Sequence, residues 1–171
     1  MVIGPNGRTF INTAGRDRYL SSAYFGAVNA KFSRLRIKMD DYKSPKQLSL
    51  PPPAALDSKT DVLIADEVMI GAGSDEAMAT RLEKRLKELP AVSDAIVGRF
   101  DEDSSLVLRT VGFSIDKKGE MVARGAYRKD GGKDDLHFKV RLGNLSEKTV
   151  TLMSRFEREF DKQAFGLDIR I

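Results

Sequence analysis

The stretch "LHFKVRL", Leu136 to Leu142, constrains this chain more than any other. In it Leu136, Phe138, Val140 and Leu142 alternate with His137, Lys139 and Arg141. Successive side chains of a β-strand point to opposite faces, so the segment reads as a strand with an apolar side to bury and a cationic side to leave outside. After Gly143 the spacing changes from two to about 3.6, the helical period. Val150, Met153, Phe156, Phe160 and Ala164 then fall on one stripe. This predicts a helix entered through Asn144 or Ser146 as N-cap and ended near Gly166. Leu152 lies off the stripe and is a surplus apolar side chain for self-association.

Upstream, "SSLVLRTVGFSID" puts Val107, Val111, Phe113 and Ile115 on one face by the same alternation. A turn at "DKKGE" with Gly119 leads into "MVARGAYRK". A second turn, "DGGKD", carries the Asp-Gly pair favoured by type I′ hairpins. With "AIVGRF" (Ala95 to Phe100) as a preceding strand, residues 95–166 read ββββα. Residues 8–89 repeat that order through "RTFINT", the run from Tyr19 onwards, "SRLRIKM" and "DVLIADEVMI". The closing helix is "SDEAMATRLEKRLKEL", with Met78, Leu82, Leu86 and Leu89 on one side and Ser74 as cap. Within this half, residues 43–59 form a loop whose Pro51, Pro52 and Pro53 preclude regular pairing, serving as a spacer or a docking arm. The expected architecture is α+β: one domain over residues 1–171, made of two pseudo-repeated ββββα units with antiparallel sheets.

Composition narrows the function. With 41% hydrophobic and 32% charged residues the chain has enough apolar surface to fold. It has no apolar run near the roughly 20 residues a membrane span requires and no secretory leader pattern, so an intracellular, cytoplasmic protein is expected, in the host cell if viral. Lack of Cys excludes disulfides, thiol nucleophiles and thiolate metal sites. His137 is the only histidine, which excludes a histidine metal cluster. "GAGSDE" lies between a strand and a helix, but Asp75 and Glu76 would repel a phosphate and no Walker lysine follows. Asp101, Glu102 and Asp103 read as a solvated turn. No cofactor, metal or catalytic residue is expected; a metal-dependent nuclease would need carboxylates that converge only through the fold.

Charge is distributed unevenly. Residues 1–60 carry +6, residues 61–110 carry −5 and residues 111–171 carry +3, which account for the net +4. In the first segment Arg34, Arg36 and Lys38 alternate with Leu35, Ile37 and Met39, the pattern of "LHFKVRL". Arg124 and Arg128 share a face of the neighbouring strand. Cationic rows of this kind attract phosphates, and rings beside them stack on bases at about 1–3 kcal/mol each. The residues expected to contact nucleic acid are Arg16, Arg18, Lys31, Arg34, Arg36, Lys38, Lys117, Lys118, Arg124, Arg128, Lys129, Lys139 and Arg141. Tyr19, Tyr24, Phe25 and Tyr127 are the stacking candidates, and Lys133 adds a cation at a hairpin tip. The alternatives are a structural adaptor that binds another polypeptide through its sheets, and the nuclease.

The order "LVLRTVGFSID", a Gly-containing turn, "EMVARGAYRK", "DLHFKVRL" and a helix closing on "AFGLD" resembles the C-terminal half of the Whirly-type fold, over Ser104 to Asp168. "FGLD" is similar to that family's terminal Gly-aromatic-Asp ending. In the first half, "AGRDRYLSS" is only loosely similar to the family's Lys-Gly-Lys-Ala strand. The resemblance, shared in outline with PUR-repeat proteins and RNA-binding proteins of large phages, implies a non-catalytic protein that binds single-stranded RNA or DNA with low sequence preference. It also implies a homodimer or higher homo-oligomer.

Overall fold

A computed structural model of the chain describes residues 2–3, 9–10, 23–40 and 59–166. Two short strands, β1 (Val2–Ile3) and β2 (Thr9–Phe10), pair antiparallel as a separate ribbon. A helix, α1, covers residues 23–31. Then follow β3 (Leu35–Asp40), β4 (Thr60–Ala65), α2 (Asp66–Ser74), α3 (Glu76–Asp101), β5 (Leu106–Ile115), β6 (Glu120–Lys129), β7 (Leu136–Asn144) and α4 (Thr149–Phe165).

The fold is α+β, built on one five-stranded mixed sheet in the order β3-β4-β5-β6-β7. β3, β4 and β5 run parallel, and β5, β6 and β7 form an antiparallel meander. One core lies on one side of the sheet. It joins Phe113, Ile115, Met121, Ala123, Phe138, Val140 and Leu142 of the strands to Val28 of α1, Val68 and Met69 of α2, Leu82 to Phe100 of α3, and Leu152, Phe156 and Phe160 of α4. β4 sits between two parallel partners and is apolar on both faces: Val62 and Ile64 join the core, while Leu63 is buried on the other side.

Several sequence expectations are corrected. "AIVGRF" is not a strand: α3 runs on to Asp101, so the second half is βββα, and β3 to β7 form one five-stranded sheet rather than two four-stranded units. Pro90 removes a single helical hydrogen bond, and Val92, Ile96 and Phe100 continue the stripe of Leu82, Leu86 and Leu89, so burial carries the helix past the proline. The run expected as a strand from Tyr19 is helical over residues 23–31. "DVLIADEVMI" is strand only to Ala65 and then becomes α2, which buries Val68, Met69 and Ala72. The cap of α3 is Asp75, not Ser74; its carboxylate accepts from the amides of Ala77 (2.9 Å) and Met78 (3.4 Å). The N-cap of α4 is Lys148 rather than Asn144 or Ser146, and the Asn144 side chain instead closes a turn onto the Ser146 amide. The helix ends at Gly166 as expected, with φ 65°.

On β5 the register shifts between Leu108 and Thr110, so Leu106 and Leu108 face the core together with Val111, Phe113 and Ile115. A bulge reverses the alternation, and Val107 is exposed rather than aligned with Val111. "DGGKD" is not a type I′ turn, because no described non-glycine residue has positive φ. Gly132 N–H bonds Lys129 O (2.8 Å), with positive φ at Gly131, the third position. The surplus apolar residue of α4 is Val150, 77% exposed, whereas Leu152 is fully buried.

A buried cation ties α3 to the β7–α4 turn. Arg85 is 2% exposed, and its guanidinium donates to the carbonyls of Leu145 (3.3 Å) and Glu147 and to the Glu88 carboxylate (3.0 Å). Thr149 Oγ1 donates to the same carboxylate at 2.7 Å. Burial lowers the pKa of Arg85 from its ordinary value, and the carboxylates of Glu88 and Glu147 oppose that shift.

Packing is tight where β6 passes under Phe138. A Cβ on Gly125 would stand 2.6 Å from two ring carbons of Phe138 and would overlap the Thr110 carbonyl oxygen, neither of which can swing aside. Gly125→Ala is therefore expected to destabilise the protein by about 2–3 kcal/mol, seen as a lower urea midpoint at unchanged slope; an unchanged midpoint would show that β6 and β7 accommodate the methyl group.

Candidate nucleic-acid interface

The side of the sheet opposite the core carries the cations. Across the strands the register aligns Arg36 with Asp61, Asp61 with Gly112, Gly112 with Arg124 and Arg124 with Lys139. At about 4.8 Å between strands this row spans roughly 19 Å. The next row is Lys38, Leu63, Ser114, Val122 and Arg141. Its centre is buried: Leu63, Ser114 and Val122 are each less than a tenth exposed, and the cations stand at the two ends. Arg128 lies further along β6, where Val107 is its partner on β5. The two rows thus bring Arg36, Lys38, Arg124, Lys139 and Arg141 to one side of the sheet, as alternation required. His137 shares that side, opposite Ala126, and is exposed.

Arg124 is not an open cation: its Nε and Nη2 are buried within the sheet face. Three of the others hold carboxylates. Arg36 grips Asp61 with two parallel bonds of 2.8 and 3.0 Å, Arg128 bonds Asp135, and Arg141 bonds Glu120. Lys38 and Lys139 have no ion pair among the described residues. The backbone of Lys139 is clasped by Gln163 of α4, whose amide donates to Lys139 O (2.8 Å) and accepts from Lys139 N–H (3.3 Å). This side-chain amide occupies the outer edge of β7 as a neighbouring strand would.

The lysines of the hairpin tips do not form one set. Lys117 and Lys118 lie before β6 and Lys129 ends it, with Lys133 in the following turn, so they occupy opposite ends of a strand of ten residues. Such a strand is roughly 30 Å long.

Among the described residues, the candidate rings Tyr24, Phe25, Phe32 and Tyr127 are not on the cationic side. Tyr127 is 4% exposed and packs against Phe100, Phe138 and Phe160 at centroid distances of 5.8, 6.3 and 5.5 Å, so it offers no face to a base. This corrects its assignment to stacking. Tyr24, Phe25 and Phe32 pack against the core on the helical side. Tyr24 OH donates to Glu83 (3.5 Å), and Lys31 pairs with the same carboxylate (3.1 Å). Arg16, Arg18 and Tyr19 lie outside the described residues, as do residues 43–58 of the proline-rich loop.

Arg34 leaves the row of Arg36 and Lys38. It reaches Asp94 of α3 at 3.9 Å and, with Lys31, Phe32 and Lys87, lines a cleft of about 290 Å³ between the α1–β3 turn and α3. Sequence analysis missed Lys87, because its nearness to residues some 55 positions earlier exists only in the tertiary structure. Pro90, the residue immediately after the expected end of the helix, was the sole local sign of irregularity there.

Other expected features behave as ordinary structure. Asp103 accepts from Ser105 N–H (2.9 Å) and Oγ, which lowers its pKa. The amides that open α3 are occupied by Asp75, which leaves the "GAGSDE" corner without donors for a phosphate. Among the described residues, no group of three or more His, Asp or Glu side chains is arranged to hold a metal ion. No described helix is long and apolar enough to cross a membrane.

No protein-family model matches the chain, and neither a curated protein nor a solved structure resembles it significantly.

Burial and the Glu83 carboxylate push the Tyr24 phenol up to about 12. A titration followed by tyrosinate absorbance should show Tyr24 still protonated near pH 11, about one unit above an ordinary tyrosine. Tyr24→Phe should remove only the latest step; loss of an early step instead would show that Glu83 does not sit beside the phenol.

Proposed function

We propose that this protein binds single-stranded RNA or DNA, without catalysis and with low sequence preference, along the cationic side of its sheet. The observation that carries the reading is the convergence of Arg36, Lys38, Lys139 and Arg141, from the two edge strands β3 and β7, on the side opposite the core, with the guanidinium of Arg124 buried between them. With the described candidate rings on the helical side, the contacts are to phosphates, with little base stacking from those rings. Weak sequence preference follows, since phosphate contacts position a strand without reading it. The order β5, β6, β7 and α4 is also the one on which the Whirly-type resemblance rests, and it supports the same class of ligand. Exposed Val150 and Phe165 of α4 are the side chains on which a homo-oligomer would rest.

Fluorescence anisotropy with labelled single-stranded RNA, single-stranded DNA and duplex across a salt series tests this. Binding to the single strands should weaken with salt, log K falling by about 0.7 per neutralised phosphate. Lys38→Ala with Lys139→Ala should weaken binding to all sequences alike and flatten the slope by about 1.4. Tyr24→Ala should leave both unchanged. No binding at low salt, or a double variant indistinguishable from the parent, rejects the assignment.

A further inference from the structure

The cleft between the α1–β3 turn and α3 is where cations and a ring meet, and its composition defines a ligand. Its walls include Lys31, Phe32, Arg34, Leu86, Lys87 and Pro90, and no carboxylate lines it. Glu83 and Asp94 neutralise Lys31 and Arg34 from outside the lining, at 3.1 and 3.9 Å, while Lys87 has no ion pair among the described residues. Lys31 Nζ stands 5.8 Å from the centroid of the half-buried Phe32 ring. Pro90 has no amide hydrogen, so the Leu86 carbonyl lacks its usual helical donor and presents an acceptor in the same wall.

We infer that this cleft binds a nucleoside monophosphate, the phosphate on Lys31, Arg34 and Lys87 and the base against Phe32 and Pro90. Its volume of about 290 Å³ suits one nucleotide rather than a length of polymer, being at the lower bound of ordinary ligand sites. Lys87 is unpaired among the described residues, and a dianion, more than the single charge of a phosphodiester, can draw Lys31 and Arg34 from their carboxylates, so the site favours a phosphate monoester. The ligand is then a free nucleotide or the 5′-phosphorylated end of a strand, and the second source rests on the function proposed above.

Backbone NMR titration with adenosine 5′-monophosphate tests the site. Saturable shifts are expected at Phe32, Ser33, Leu86 and Ala91, with adenosine and inorganic phosphate each binding at least about tenfold more weakly because each lacks one half of the contacts. Lys87→Glu should abolish the shifts while its own spectrum reports an intact fold. Failure of the nucleotide to shift those residues, or equal binding by the variant, overturns the inference. Two oligonucleotides of one sequence separate the sources: preference for the 5′-phosphorylated strand, lost in Lys87→Glu, assigns the cleft to a strand end, and equal affinity assigns it to the free nucleotide. Saturation by the nucleotide when neither oligonucleotide binds would uphold the cleft and reject the strand-binding face.

Discussion

The structure depends on one-sided burial. The described helices supply a single core against one face of the five-stranded sheet, and that requirement sorts each strand's residues into two classes. In β7, burying Phe138, Val140 and Leu142 obliges His137, Lys139 and Arg141 to face away, because a pleated strand cannot turn one side chain without turning its neighbours. The same rule acts on β3 and β6, and the cations of strands far apart in the sequence therefore reach one surface. The cationic side is thus a geometric consequence of the core, and a slip of one residue in any strand would exchange the two.

What fixes the helices over that core is partly polar. Arg85, buried in α3, satisfies carbonyls of the turn that leads into α4, and Arg155 of α4 returns to Glu147 and to the Leu142 carbonyl. Gly143, at φ 133°, lies where a side chain would overlap the Glu147 carboxylate, so the β7 bulge, the turn and α4 form one interlocked unit. A buried guanidinium costs desolvation that partners at its nitrogens must offset; here Nη1 and Nη2 are occupied while the buried Nε has no partner among the described residues. The contacts of Nη1 to Glu88 and Thr149 and of Nη2 to the carbonyls of Leu145 and Glu147 supply that offset.

The aromatic residues show how the core competes with a binding surface. Phe100, Tyr127, Phe138, Phe156 and Phe160 pack together with centroid separations of 4.9 to 6.3 Å, filling the space between β6, β7, α3 and α4. Rings used in this way cannot stack on bases. The strand face, where Asp61, Asp135 and Glu120 pair with Arg36, Arg128 and Arg141, therefore differs in composition from the small cleft lined by Phe32.

Local pattern determined the strongly periodic elements: β6, β7, the Gly119 turn and the buried stripe of α4 through Phe156 and Phe160 are legible because each is specified by spacing within ten or so residues. So is the sidedness of Arg36, Lys38, Arg124, Lys139 and Arg141. Tertiary structure decided the rest. "AIVGRF" is apolar enough for a strand or a helix, and packing of Ile96 and Phe100 under the sheet made it helix despite Pro90. The bulge at Arg109, the parallel pairing of β4 with β3 and β5, and the burial of Tyr127 likewise answer to partners distant in sequence. Periodicity states which residues share a face, but which faces are covered, and which charges meet, is settled by contacts between segments that no local pattern encodes.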